Sequence, residues 1–147
     1  GQTIGLNIAL PFEQDANPYI TKDLLFQFHY FFMRKFWFAY LAKALVVFPG
    51  GFGTLDEMFE ILTLMQTQKL DKQIQILLYG TEYWDQVVRL DPLDEWGAIA
   101  PTDINLIQRV DTPEEAFLRL KAHLTEHHLA PATAQETKAP GIAKTRS

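Results

Sequence analysis

The chain has 147 residues, of which 48% are apolar and 13% aromatic, and its formal net charge is −5. This composition is typical of one packed globular domain and argues against a disordered chain. The mildly acidic balance argues against broad nucleic-acid binding, which needs a basic surface to neutralise phosphates. The absence of cysteine excludes disulfides, cysteine-ligated zinc and thiol catalysis.

No apolar run is long enough to span a bilayer, because Arg34, Lys35 and Lys43 interrupt the most apolar stretch, residues 30–47. The amino terminus has no basic segment followed by an apolar one, so the sequence predicts no signal peptide. We therefore expect a cytoplasmic protein without a membrane partner. Because the chain opens with Gly1 instead of methionine, we also expect that an amino-terminal part is missing.

Apolar periodicity in the first half predicts strands that alternate with one long helix. The strands are expected over residues 3–10, 24–30 and 44–48, and the helix over residues 31–42. Since that helix is apolar nearly all round, we expect it to be buried.

The second half continues the alternation. It predicts helices over residues 55–65, 83–90 and 112–127, a short helix from Asp91, and strands over 73–79 and 106–110. The Pro, Ala, Thr and Lys composition that follows predicts a disordered tail over residues 129–147, after a folded domain over 1–128. Strands that alternate with helices imply an α/β fold with a parallel sheet covered on both faces, where ligands bind at the carboxyl ends of strands.

A glycine-rich segment, Pro49-Gly50-Gly51-Phe52-Gly53-Thr54, follows the third predicted strand and opens a helix. Glycines allow close approach to a ligand, and a helix start offers free amides and partial positive charge, so this loop fits a phosphate. It lacks the Gly-Lys-Ser/Thr ending of a P-loop. The structural alternative is a capping box, in which Thr54 and Glu57 only satisfy backbone amides.

Two adjacent basic residues, Arg34 and Lys35, lie inside the aromatic helix. Either both reach the surface, or Arg34 pairs with a structural carboxylate, or Arg34 points into the same cleft as Glu57 and meets an anionic ligand there. Thr63 is a lone hydroxyl in an apolar helix, where bonding to its own backbone is the commoner role.

Further polar residues are weaker candidates for a site. Glu13, Gln14 and Asn17 lie in a loop after a strand, where polar residues are common. His123 and His127 have the i, i+4 spacing of a zinc pair, but no third ligand is evident, so we predict a charged helix end and no metal.

The segment Pro49-Gly50-Gly51-Phe52-Gly53-Thr54-Leu55-Asp56-Glu57 resembles the PGGxGTxxE signature of the LOG family, the cytokinin riboside 5'-monophosphate phosphoribohydrolases that were long labelled lysine decarboxylases. The upstream Arg34-Lys35 pair resembles the second motif of that family. The stretches 4–14 and 28–32 look most like its longer bacterial and plant branch. The resemblance covers approximately residues 1–110.

This resemblance implies a modified Rossmann fold, dimeric in most members, that cleaves the N-glycosidic bond of AMP or its N6-substituted derivatives without a cofactor. It implies catalytic roles for Arg34 and Glu57. It implies that the substrate is bound by Lys35, Gly50, Gly51, Gly53, Thr54 and Thr63. The family's earlier strand and second glycine-rich loop have no match here, which again predicts an incomplete amino terminus. A homodimer is also expected because helices 31–40 and 55–65 have more apolar surface than one small sheet covers.

Two rival functions stay open at this point. A non-catalytic nucleotide or molybdopterin-type carrier would need the glycine loop, but it would not need both Arg34 and Glu57. Lysine decarboxylation ordinarily uses a lysine-bound pyridoxal phosphate, and no lysine follows the loop in a convincing position.

Overall fold

The computed structural model describes residues 1–11, 15–69 and 73–129. Its strands are β1 (Gly5–Ile8), β2 (Leu25–Phe28), β3 (Ala44–Val47), β4 (Gln75–Tyr79) and β5 (Ile107–Val110). Its α-helices are α1 (Phe31–Leu41), α2 (Phe52–Gln66), α3 (Thr81–Val87), α4 (Asp91–Glu95) and α5 (Pro113–Leu124). Two 3-10 turns, Lys22–Leu24 and Pro101–Leu106, and a π-helical turn, Thr125–Leu129, complete these elements. Each strand falls inside its predicted range, and the predicted order of strands and helices is confirmed.

The main sheet has the order β3-β4-β5, and its neighbouring strands are parallel. The strands β1 and β2 form a separate parallel pair, so the single sheet that the pattern implied is divided in two. The second strand leaves Leu25 and Phe26 exposed, so this pair buries little apolar surface in the described chain. The α/β class with parallel strands and flanking helices is confirmed.

The central strand β4 shows why helices cover both faces of the main sheet. Ile76 and Leu78 point to one face, where they pack with Met58 of α2 and Trp84 of α3. Their neighbour Leu77 points to the other face and packs with buried residues of β5 and α5. Successive side chains of a strand face opposite ways, so an unbroken apolar run fits a strand buried on both sides.

Helix α5 begins as the sequence indicates. The Thr112 hydroxyl accepts a hydrogen bond from the Glu115 amide at 3.2 Å, and Pro113 occupies the first turn. A proline there costs no hydrogen bond, because the first amides of a helix have no intrahelical acceptor.

Helix α1 departs from expectation, because the prediction that it is buried is wrong. Within the described chain Ala39 is its buried member, at 6% exposure, while a set of aromatic side chains stays exposed. We call this set the aromatic surface of α1; it consists of Phe31, Phe32, Phe36, Trp37 and Tyr40. The helix is apolar around most of its circumference, but a helix that rests on one core buries a single face.

None of the described helices combines the length and apolar character needed to cross a bilayer. Residues 130–147, which make up nearly all of the predicted tail, lie outside the described residues. The same holds for the loop candidates Glu13 and Gln14.

Candidate functional site

The glycine loop joins the carboxyl end of β3 to the first turn of α2. The helix begins at Phe52, three residues earlier than predicted, and Gly51 is its N-cap residue. The backbone of Gly51 has φ −87° and ψ −149°, and none of the loop glycines has a positive φ. These glycines are therefore not explained by a left-handed turn.

Space around the loop gives a different explanation for two of the glycines. A Cβ atom added to Gly51 or Gly53 would meet no described atom within 4 Å. Both positions therefore present bare backbone to open space, as a surface that a ligand approaches closely requires. At Gly50, by contrast, a Cβ atom would overlap the Thr54 hydroxyl, so this glycine allows Thr54 to lie against the loop.

The start of α2 leaves backbone donors free. In the described ranges the amides of Gly51, Phe52 and Gly53 have no hydrogen-bond acceptor, and the first amide that is bonded belongs to Thr54, which donates to the Gly51 carbonyl at 3.0 Å. Free amides at a helix start, together with the positive end of the helix dipole, attract anions.

The capping-box alternative is wrong. Thr54 lies inside the helix instead of at its N-cap, and no side chain caps the helix start. Glu57 does not reach back to the backbone; its Oε1 instead accepts a hydrogen bond from Nη2 of Arg34. The Glu57 carboxylate is therefore not used to cap α2 and can contact a ligand.

The ion pair of Arg34 and Glu57 joins α1 to α2. The two side chains are 15% and 20% exposed, so water screens the pair only partly. The Nε atom of Arg34 is buried and has no hydrogen-bond partner in the described chain. A planar guanidinium can hold a carboxylate with one edge while other donors remain for a second acceptor.

Glu57 opens onto a small cavity of about 190 Å³. Thr54 and Glu57 supply its polar side chains, and the end of β3 supplies apolar ones. The remaining lining residues are Phe38, Leu45, Val46, Val47, Phe48, Pro49 and Met58. One carboxylate, one hydroxyl and the free amides of the loop are thus brought to the carboxyl edge of the sheet, where parallel α/β folds bind ligands.

Lys35 points away from this cavity. Its Nζ lies 2.5 Å from Oδ2 of Asp56 and 3.6 Å from Oε2 of Glu60, both on α2. The hydrogen bond to Asp56 raises the pKa of Lys35, with further support from the charge of Glu60 and against the cost of burial. The two basic residues therefore form two separate ion-pair contacts with one helix.

Comparison with known proteins shows which family the chain belongs to. A family model described as "Possible lysine decarboxylase" matches residues 1–120, which is most of the chain. The chain belongs to the LOG family.

The LOG relatives include three plant proteins. The probable cytokinin riboside 5'-monophosphate phosphoribohydrolase LOG6 of Arabidopsis thaliana is 32% identical over 64% of this chain and 47% of its own length. The cytokinin riboside 5'-monophosphate phosphoribohydrolase LOG1 of Arabidopsis thaliana is 30% identical over 64% of this chain and 44% of its own length. The enzyme of the same description called LOG, from Oryza sativa subsp. japonica, is 29% identical over 65% of this chain and 40% of its own length. The matched part of the chain therefore spans less than half of each relative.

Thr63, a substrate-binding candidate implied by the resemblance, is also not brought to Glu57 in the structure. Its hydroxyl donates to the Phe59 carbonyl at 2.7 Å, the commoner role for such a residue. It lines a second cavity, of about 120 Å³, together with Phe59, Leu62, Gln66, Leu90, Leu93, Ile99, Asp103 and Leu106. At about 100° per residue, the helical positions that line this cavity face away from Glu57.

Tyr83 contacts the glycine loop, and the sequence did not predict this contact. Its hydroxyl donates to the carbonyl oxygen of Gly50 at 2.9 Å and thereby ties α3 to the glycine loop. The contact follows from the parallel pairing of β3 with β4, which brings the residues after both strands to one edge of the sheet.

The remaining described candidates contact the backbone away from Glu57. The Asn17 side chain accepts from the Tyr19 amide at 3.0 Å, as in an Asx turn. His123 and His128 approach the Gln73 carbonyl, at 3.3 Å and 3.1 Å. Burial lowers the pKa of His123. Within the described part of the chain, no cluster of histidine and acidic side chains could hold a metal ion.

Proposed function

We propose that this LOG-family chain forms the nucleotide site of an N-glycosidase. Its substrate is AMP or an N6-modified adenosine 5'-monophosphate, and its products are the free base and ribose 5-phosphate. The observation that carries the proposal is the placement of Glu57, which is held by Arg34 and shares a cavity with Thr54 of the glycine loop. The relatives are named for this reaction class, and this chain spans less than half of their length.

The 5'-phosphate binds at the start of α2. The free amides of Gly51, Phe52 and Gly53 and the hydroxyl of Thr54 donate to its oxygens, and the helix dipole favours its negative charge. Open space beside Gly51 and Gly53 lets the phosphate approach the backbone. No side-chain cation is required in this arrangement, as in other sites built on helix starts.

Glu57 acts on the sugar. When the bond from C1' to the base nitrogen breaks, positive charge develops on the ribose, and a nearby carboxylate stabilises it. The same carboxylate accepts a proton from the attacking water, whose oxygen bonds to C1'; the base leaves with the bonding electron pair and gains a proton. Arg34 keeps Glu57 in place through their ion pair, and it favours negative charge on the departing base.

The other binding residues that the LOG resemblance implies differ in their proposed roles. Gly50, Gly51, Gly53 and Thr54 belong to the proposed site. Lys35 has a role in holding α1 against α2, since its ammonium group is engaged by Asp56 and Glu60.

The test is a chromatographic assay for adenine released from AMP and from an N6-modified analogue. We expect release by the unaltered chain and a loss of about 10²- to 10⁴-fold in Glu57→Gln, the range ascribed to a general acid or base. Glu95→Gln is the matched control, because Glu95 is an exposed glutamate of α4. It should release adenine at the unaltered rate.

Two outcomes contradict the proposal. Equal activity in Glu57→Gln and the unaltered chain would remove Glu57 from the chemistry. If neither nucleotide is cleaved while both proteins bind AMP equally tightly, the carrier function is the better description.

We also propose that the aromatic surface of α1 is covered by a second copy of the chain. The five aromatic side chains are exposed on one helix, and the rings of Phe36, Trp37 and Tyr40 contact one another, so they form an apolar surface of the kind found at interfaces. Symmetric self-association is the commonest way to cover such a surface. Light scattering at micromolar concentration should give the mass of a dimer, and the mass of a monomer would contradict this proposal.

A further inference from the structure

We infer that Tyr83 is a positioning residue, which holds the glycine loop in the orientation that presents its amides to the phosphate. The inference rests on the proposed function and concerns a residue outside the two LOG motifs. Tyr83 does not line the cavity of Glu57 in the described chain; it acts through the backbone of Gly50.

Three contacts join the end of β4 and the start of α3 to the glycine loop and the residue before it. The Tyr83 hydroxyl donates to the Gly50 carbonyl at 2.9 Å. The rings of Tyr79 and Phe48 pack with their centroids 5.0 Å apart. Gly80, at φ 93°, places its backbone beside Pro49, so that an added Cβ atom would lie 3.5 Å from the proline ring. The chain is therefore held from one side at Phe48 and at the first two residues of the loop, Pro49 and Gly50.

The peptide between Gly50 and Gly51 carries this constraint to the ligand. A trans peptide is planar, and its carbonyl oxygen and amide hydrogen point in opposite directions. The carbonyl of Gly50 points toward Tyr83. The amide of Gly51 therefore points away from α3, and it is one of the free donors assigned to the phosphate.

Glycine makes this external constraint necessary. A peptide flanked by two glycines has more rotational freedom than any other, and neither residue has a side chain that could fix it. An unconstrained loop would have to lose that freedom each time it bound a phosphate. A hydrogen bond made before the ligand arrives removes part of this cost, which is the general advantage of preorganisation.

The side chain that makes this hydrogen bond, Tyr83, packs against the buried core. The Tyr83 ring packs edge-on against Trp84, with centroids 5.0 Å apart and an interplanar angle of 87°. Trp84 is fully buried and donates from Nε1 to the Tyr79 carbonyl at 3.1 Å. The position of the Tyr83 hydroxyl is therefore set by packing, as a residue that orients another group requires.

Tyr83→Phe tests the inference, because it removes one oxygen and keeps the ring on Trp84. Calorimetry should compare the binding of AMP with that of adenosine, which has the same base and sugar and no phosphate. We expect the AMP affinity to fall about fivefold, as for loss of one ordinary hydrogen bond, and the adenosine affinity to stay unchanged. Tyr19→Phe is the matched control, since Tyr19 is exposed and its hydroxyl has no hydrogen bond in the described residues.

In the adenine-release assay the same variant should raise KM for AMP and leave kcat nearly unchanged. Equal AMP affinity in Tyr83→Phe and the unaltered chain would overturn the inference. Equal losses for AMP and adenosine would also overturn it, because the effect would then be general to the fold. A failure of the unaltered chain to bind AMP would instead refute the proposed function, so the two failures are distinguishable.

Discussion

Helices α1 and α2 have similar apolar sequences and very different surroundings. Helix α2 buries Met58 and Ile61 almost completely against the main sheet. Helix α1 reaches the same core through Ala39, and its aromatic surface is left exposed. An apolar sequence therefore shows that a helix has surface to bury, but it does not show what covers that surface.

The comparison also locates the candidate site at the contact between the two helices. Arg34 and Lys35 of α1 pair with Glu57 and Asp56 of α2. These ion pairs hold α1 against α2, a role that apolar packing has in the main sheet. Because the proposed catalytic pair, Arg34 and Glu57, is also part of this contact, changes to α1 are expected to reduce the proposed activity even where they leave the main sheet intact.

The largest effect on stability is expected in the main sheet. Leu78→Ala would leave a cavity at a position that is 1% exposed, and we expect a loss of about 3 kcal/mol in the free energy of unfolding. Phe36→Ala removes a larger side chain on α1 that is 54% exposed, and we expect a loss below about 1 kcal/mol. Urea unfolding at low protein concentration measures both changes.

The same pair of variants tests what covers α1. If a second copy does so, Phe36→Ala weakens the dependence of the unfolding midpoint on protein concentration, and Leu78→Ala leaves that dependence in place. Similar losses of stability in the two variants at low protein concentration would mean that Phe36 is as well packed as Leu78. That result would contradict the exposure of the aromatic surface of α1.

A smaller effect is expected at the contact between the helices. Arg34→Met keeps much of the side-chain volume and leaves the partly buried Glu57 carboxylate without its partner, which should cost about 1 to 3 kcal/mol. Arg119→Met is the comparison variant, because Arg119 pairs with Glu115 at 2.9 Å on α5 and donates to the exposed Gln108 of β5 at 2.9 Å, and all of these contacts face solvent. An exposed pair of this kind is worth below about 0.5 kcal/mol. Equal losses in thermal or urea unfolding would show that the Arg34 pair is as weak as a surface pair.

The smallest effect concerns Asp111, at the carboxyl end of β5. Its carboxylate accepts from the Thr81 amide at 2.7 Å and from the Thr81 hydroxyl at 2.8 Å. The backbone hydrogen bond, followed by that from the hydroxyl, lowers the pKa of Asp111 below its ordinary value of 3.8. This stabilisation is complete above pH 3.8 and is lost as the pH falls through the lower folded-state pKa.

Asp111→Asn should therefore reduce the acid-induced part of the stability loss. The measurement is the difference between the urea midpoints at pH 7 and pH 3, compared between the variant and the unaltered chain. An unchanged difference would mean that Asp111 titrates alike in the folded and unfolded chains.

The sequence predicted the elements of this fold well because their signals are local. Alternation, the Pro113 start of α5 and the glycines after β3 all act over a few residues. The sequence allows three interpretations of Arg34, and its pairing with Glu57 depends on how α1 packs against α2, which the local pattern does not specify. The division of the sheet and the link from Tyr83 to Gly50 depend on contacts between distant segments, which one sequence does not specify.

The glycine loop also bears on how variants of this protein would be scored. Gly53 lies within α2, and an added methyl group there would meet nothing in the described chain. Alanine is favoured over glycine by about 1 kcal/mol in a helix interior and by less in the first turn, where Gly53 lies, so a screen for thermal stability would still rank Gly53→Ala as an improvement. The same methyl group would occupy the space proposed for a phosphate oxygen. If the proposed site binds nucleotide, stability to heat and nucleotide binding favour different residues at this position, and glycine is the residue that favours binding.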